Sequence, residues 1–147
     1  MSDAAMTTVF DHFHAWRRHD LDAISASLDP GVVHHGVLPE LVCSGRPAVL
    51  ERMGASLDGG DTGIERLELQ AAGESVIVSI AGPRFREIPF LDGEIYMVFS
   101  VREGLILRID DYRTRNEALR AVEAGRPPAS PGTPRQPAVE PSARARA

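Results

Sequence analysis

The chain has 147 residues, 43% of them hydrophobic and 25% charged, which is enough for one domain with a buried core and too few for two ordinary ones. A formal net charge of -5 leaves no basic footprint for nucleic acid or an anionic membrane surface. The single cysteine, Cys43, excludes an intramolecular disulfide framework, and no apolar run approaches the roughly 18 residues of a membrane span. The opening MSDAAMTTVF lacks the basic region and apolar run of a secretory signal, so the expected compartment is the cytoplasm.

Met6, Val9, Phe10, Phe13 and Trp16 recur at helical spacing and predict an amphipathic helix from about Ala4 to about His19. Asp20 is placed to cap a second, short helix whose apolar positions are Leu21, Ile24 and Leu28, stopped by Asp29-Pro30. A short strand, Val32 to His35, follows. Ser44 can cap a third helix that starts near Pro47 and runs through Val49, Leu50, Met53 and Leu57 to Gly59-Gly60. Beyond it the period changes to two. ERLELQ, SVIVSIAG, EIYMVFSV and LILRIDDYR predict antiparallel strands with turns at Ala72-Gly73, Asp92-Gly93 and Glu103-Gly104. NEALRAVEA, from Asn116 to about Ala124, predicts a closing helix. The remainder, GRPPASPGTPRQPAVEPSARARA, has no aromatic residue and cannot bury enough apolar surface to offset the entropy of ordering it. The expected organisation is a folded domain over 1–124 and a disordered Pro/Ala/Arg-rich tail over 125–147. The fold class is α+β, with helices packed on one face of a curved sheet.

Side chains alternate faces along a strand, so Ile95, Met97, Phe99 and Val101 form one apolar face, and Leu105, Leu107 and Ile109 another. If Gly104 takes the left-handed position of a three-residue turn, the two sets share a side of the sheet, and Asp111 and Arg113 continue it. A two-residue turn would instead align Arg108, Asp110 and Tyr112 with that face. The first register gives the cleaner apolar face and makes Asp111 a carboxylate among aliphatic residues, a place suited to a general base. Pairing of Asp111 with an arginine such as Arg113 at a rim is the plainer alternative. His12 borders the apolar side of the first helix, where a packed ring with a wetted edge is the favoured reading. His14 and His19 read as surface residues. No metal is expected, because His12-x-His14 splays the rings apart and no acidic or cysteine cluster completes a site.

The stretches HDLDAISASLDPGVV, HHGVLPELVCSGRPAVLERM and MVFSVREGLILRIDDYRTRNEAL, in this order, resemble the nuclear-transport-factor-2-like superfamily over roughly Thr7 to Val122. SnoaL-like cyclases, ketosteroid isomerases and limonene epoxide hydrolases share that fold. The resemblance implies a cone-shaped antiparallel sheet wrapped on three N-terminal helices, no cofactor, a small hydrophobic ligand or substrate, and a homodimer. It sets Asp111 where the epoxide hydrolases carry the aspartate that activates water. It sets His35 where the isomerases carry their aspartate base, and His12 near their oxyanion-binding tyrosine. Val33 and His35 would then point inward and His34 toward solvent or a subunit interface. The implied pocket is lined by Phe13, Trp16, Val33, Met97, Phe99, Leu107, Ile109 and Arg113.

The chain also departs from these families. Val78 and Ile80 fall where the epoxide hydrolases need an Arg-x-Asp pair, no acid lies in Ile95 to Met97, and Thr114 stands where the cyclase pattern has an aspartate. Arg84 and Arg86 of PRFRE are candidates for a pocket mouth. The expected function is proton transfer or water addition on a small hydrophobic substrate, with His35 as base or acid and Asp111 orienting it or activating water. The alternatives are a dimeric ligand-binding module without turnover, and an interaction protein docking through a sheet face with Tyr96, Val98, Ile106 and Tyr112.

Overall fold

The computed structural model describes residues 2–57 and 64–124, so the tail expected over 125–147 lies outside the described residues. Helix α1 (Ser2–Arg17) lays Val9, Phe13 and Trp16 into the core. Asp20 caps α2 (Leu21–Ala26) as its position predicts, its carboxylate accepting from the Ala23 N–H at 3.1 Å. That helix is shorter than expected. Ser27 closes it, and Leu28 already belongs to strand β1 (Leu28–His35), which carries Asp29-Pro30 inside it. The ladder shifts register between Leu28 and Val33, an irregularity that suits a proline with no N–H to donate.

Loop residues before the third helix form a short strand, β2 (Val42–Ser44), that the sequence pattern does not announce. Helix α3 (Arg46–Leu57) follows with Pro47 in its first turn, where the missing donor is harmless, and buries Val49, Met53 and Leu57. Then come β3 (Arg66–Ala72), β4 (Ser75–Ala81), a one-turn helix α4 (Pro83–Arg86), β5 (Glu94–Arg102), β6 (Leu105–Tyr112) and α5 (Arg115–Glu123). The six strands lie in the order β2-β1-β6-β5-β4-β3. The sheet is mixed, not wholly antiparallel, because β1 runs parallel to β6.

Glu103 and Gly104 both take positive φ, 55° and 80°, and join β5 to β6 as a two-residue turn with Arg102 opposite Leu105. This is the turn set aside in the sequence analysis, yet Asp111 still lies opposite Met97, and Ile109 opposite Phe99. The reason is a β-bulge. Val101 pairs with Ile106 and Ser100 with Arg108, so Leu107 is the extra residue and parity inverts past it. Ile106, expected on the outer face, is therefore in the inner core, and Leu107 is only half-buried.

The inner face of the sheet, with Val76, Val78, Phe99, Ile106 and Ile109, packs against α1, α2 and α3. On the other face Ile77 and Val98 are covered by Ala118, Leu119 and Val122 of α5. Thr114 starts that helix by accepting from the Glu117 N–H at 3.1 Å. The face suggested for docking another chain is thus occupied by the chain itself. Phe99 is fully buried and stacks edge-on against Phe13 at 5.5 Å, so it ties sheet to helix. Phe99→Ala is expected to cost about 3–5 kcal/mol, read as a lowered urea midpoint.

Candidate functional site

In the parallel pairing of β1 with β6, His34 lies beside Ile109 and His35 beside Asp110. Ladder partners share a face, so the His34 side chain goes with Ile109 into the concavity and His35 goes outward with Asp110. Residue 34, not 35, therefore meets Asp111. Nε2 of His34 lies 3.0 Å from both Asp111 carboxylate oxygens, and both residues are buried. The carboxylate can only accept, so His34 donates through Nε2, and its Nδ1 is buried without a hydrogen-bond partner.

The pair lies at the wall of a cavity of about 380 Å³, at the small end of the range for small-molecule sites. Phe13, Trp16, Ile80, Ile95, Met97 and Phe99 supply apolar walls, and Arg52 and Arg84 line it as well. His12 is buried rather than wetted at an edge, with its ring against Phe13 and Phe99 at 5.2 and 5.7 Å. Its Nδ1 lies 3.0 Å from Ser27 Oγ. The Ser27 hydroxyl proton is already donated to the Ile24 carbonyl at 2.6 Å, so Nδ1–H of His12 is the donor and Nε2 is left as an acceptor. Burial, reinforced by the nearby charge of His34, lowers the His12 pKa to about 4 and keeps the ring neutral at neutral pH.

The profile of the SnoaL-like domain matches residues 9–109. The chain belongs to the SnoaL-like domain family. Solved structures of the same fold include a proposed polyketide cyclase from Xanthomonas campestris pv. campestris, 21% identical, aligned over 82% of this chain and 98% of that one with a TM-score of 0.57. A second proposed polyketide cyclase, from Sinorhizobium meliloti, is 24% identical over 71% of this chain and 93% of its own, with a TM-score of 0.58. A limonene-epoxide-hydrolase-like epoxide hydrolase from Mycobacterium tuberculosis is 16% identical over 84% of this chain and 92% of its own, with a TM-score of 0.56. No curated protein matches the sequence significantly.

Against this SnoaL-like frame the expected site residues divide. Asp111, His12, Phe13, Trp16, Met97 and Phe99 are brought together around the cavity, and Ile109 is buried in the core beside them. His35, Val33, Leu107 and Arg113 are not. Val32, not Val33, faces inward beside His34, and Arg113 is exposed and ion-pairs with Glu117 at 3.7 Å. Arg84 reaches the cavity, whereas Arg86 turns out to Glu65 at 3.3 Å. His34 and Arg52 are among the cavity residues that sequence reasoning missed. For His34 the signal was available in Leu28: counting by twos from that buried leucine reaches Val32 and His34.

Outside the cavity His35 makes a second pair. Its Nδ1 lies 3.2 Å from Asp110 Oδ1, in ion-pair range but without hydrogen-bond alignment, and Arg108 Nε donates to Asp110 Oδ2 at 2.8 Å. Burial alone would raise the Asp110 carboxyl, but His35 and Arg108 outweigh it and hold it below the ordinary carboxylate range. Among the described residues no group of His, Cys, Asp and Glu is arranged to hold a metal ion, and no helix is long and apolar enough to cross a membrane.

The His12 shift has a sign that can be checked. With the ring at about 4 when folded and at its ordinary 6.5 when unfolded, the unfolded chain binds a proton between those values that the folded chain refuses. Stability should therefore rise with pH from about 4 to about 6.5, by on the order of 3 kcal/mol from this residue. In His12→Gln, which keeps a donor for Ser27, urea unfolding across that interval should lose most of this slope.

Proposed function

We propose that the protein is an enzyme of acid-base chemistry on a small, largely apolar carbonyl substrate, with Asp111 as the base and His34 holding it. The observation that carries this reading is the buried His34–Asp111 pair, with its two 3.0 Å contacts, at the wall of an apolar cavity. A carboxylate fixed by one donor keeps its other lone pairs for a substrate, and apolar walls strengthen its pull on a proton. In the step proposed, an Asp111 oxygen takes the proton from a carbon α to the carbonyl and the C–H electron pair moves into the enolate. Return of that proton at another carbon completes an isomerisation. Attack of the enolate on a second carbonyl, with the proton delivered to the new alkoxide, completes a cyclisation.

His12 enters as a neutral wall residue whose Nε2 accepts from a substrate hydroxyl or enol, not as a donor to an oxyanion. Epoxide hydrolysis is the less favoured chemistry, because by the resemblance Val78 and Ile80 fall where the epoxide hydrolases carry an Arg-x-Asp pair, which leaves no acid there to protonate the epoxide oxygen. Those same aliphatic residues favour the second reading, a ligand-binding module without turnover. A homodimer and a cytoplasmic location belong to this reading as the resemblance and the cysteine usage imply them. The dimer surface would have to lie away from Val98, which α5 covers.

The test is hydrogen exchange into an enolisable ketone of suitable size, 2-tetralone, followed by proton NMR in heavy water. The wild type should wash deuterium into the α position faster than buffer does, and Asp111→Asn should lose about 100-fold or more of that rate. Equal rates in the wild type, Asp111→Asn and buffer would move the assignment to the ligand-binding module.

A further inference from the structure

Two arginines line the cavity, and among the described residues no carboxylate balances their charge. Arg84, on α4, donates Nη2 to the Ser56 carbonyl at 2.9 Å and lies over the Trp16 ring at 5.9 Å. Arg52, on α3, has Nη1 4.0 Å from the Cys43 sulfur. Both are half-buried, both line the cavity, and among the described residues neither pairs with a carboxylate. Arg66, Arg86, Arg108, Arg113 and Arg115, by contrast, all do. The acid lining the cavity, Asp111, is taken by His34.

A half-buried guanidinium against apolar walls is costly to leave without an anion, and its planar fork of donors matches a carboxylate. The aromatic residues lead inward from that end. Arg84 covers Trp16, Trp16 meets Phe13 at 6.1 Å, and Phe13 meets Phe99, against which His12 packs. A flat body held along those rings would lie in the one cavity that Arg52, Arg84, His12, His34 and Asp111 all line.

We infer that the ligand of this cavity is an aromatic or alicyclic carboxylic acid, its carboxylate held by Arg52 and Arg84 and its apolar body directed toward His12 and Asp111. This rests on the cavity being a small-molecule site, as the proposed function has it, and adds the anionic group.

The experiment is calorimetric titration of the full chain with 2-naphthoic acid and with 2-naphthamide, which share a ring system and differ in charge. The acid should bind about tenfold more tightly than the amide at neutral pH. Arg52→Gln/Arg84→Gln should bring that ratio to near one. Raising salt from about 50 mM to about 500 mM should shrink the ratio in the wild type, a measurement that needs no variant to fold. Equal affinity for acid and amide would overturn the carboxylate assignment and leave the pocket reading standing. A ratio that survives in the double variant would overturn the role of the two arginines. Binding of neither compound would sink both the carboxylate assignment and the small-molecule site.

Discussion

The pairing of β1 with β6 decides which chemistry this molecule can hold. β1 ends in His34-His35 and β6 carries Asp110-Asp111 just before its last residue, and the ladder sets His34 beside Ile109 and His35 beside Asp110. Because successive side chains alternate across the sheet, each histidine finds one aspartate and the two pairs stand back to back. A slip of one residue in β1 would exchange the histidines and put Val33 in the core in place of Val32. The bulge at Leu107 is part of the same constraint, since without it the two-residue turn at Glu103-Gly104 would turn Asp111 outward.

The two pairs have different surroundings, and this separates their roles. Outside, Asp110 is engaged from both oxygens by His35 and Arg108, while the His35 side chain is 39% exposed, so that cluster reads as a closed ion pair on a wet face. Inside, Asp111 meets one histidine, apolar walls and a neutral His12. Keeping His12 uncharged matters there, because an imidazolium at that position would compete with His34 for the same carboxylate. Leaving His34 Nδ1 without a partner is a cost that a purely structural core could avoid with an aliphatic residue.

Much of this was legible in the sequence, and the errors have physical causes. The helical spacing of Val9, Phe13 and Trp16, the alternation in SVIVSIAG and EIYMVFSV, and the Asp20 cap all read correctly, because each is a local pattern with a strong period. The inward face of Asp111 read correctly by compensation, since the wrong turn was offset by an unforeseen bulge. The doubled residues failed. Val32-Val33-His34-His35 offers no contrast between its faces, and Leu28, which would have set the parity, was absorbed into a helix that Ser27 in fact ends. Ile106 went astray because the bulge at Leu107 inverts the alternation along β6. Arg52 was invisible because its role depends on where α3 meets the cavity, which no spacing within α3 encodes.

The central claim is that His34, and not His35, is coupled to Asp111 inside the sheet. Double-mutant cycles in urea unfolding measure it directly, using His34→Ala, His35→Ala and Asp111→Ala and the two double variants with Asp111. The structure predicts a coupling of about 1–3 kcal/mol between His34 and Asp111 and close to none between His35 and Asp111. Coupling found instead between His35 and Asp111, with His34 additive, would contradict the register on which the site is built.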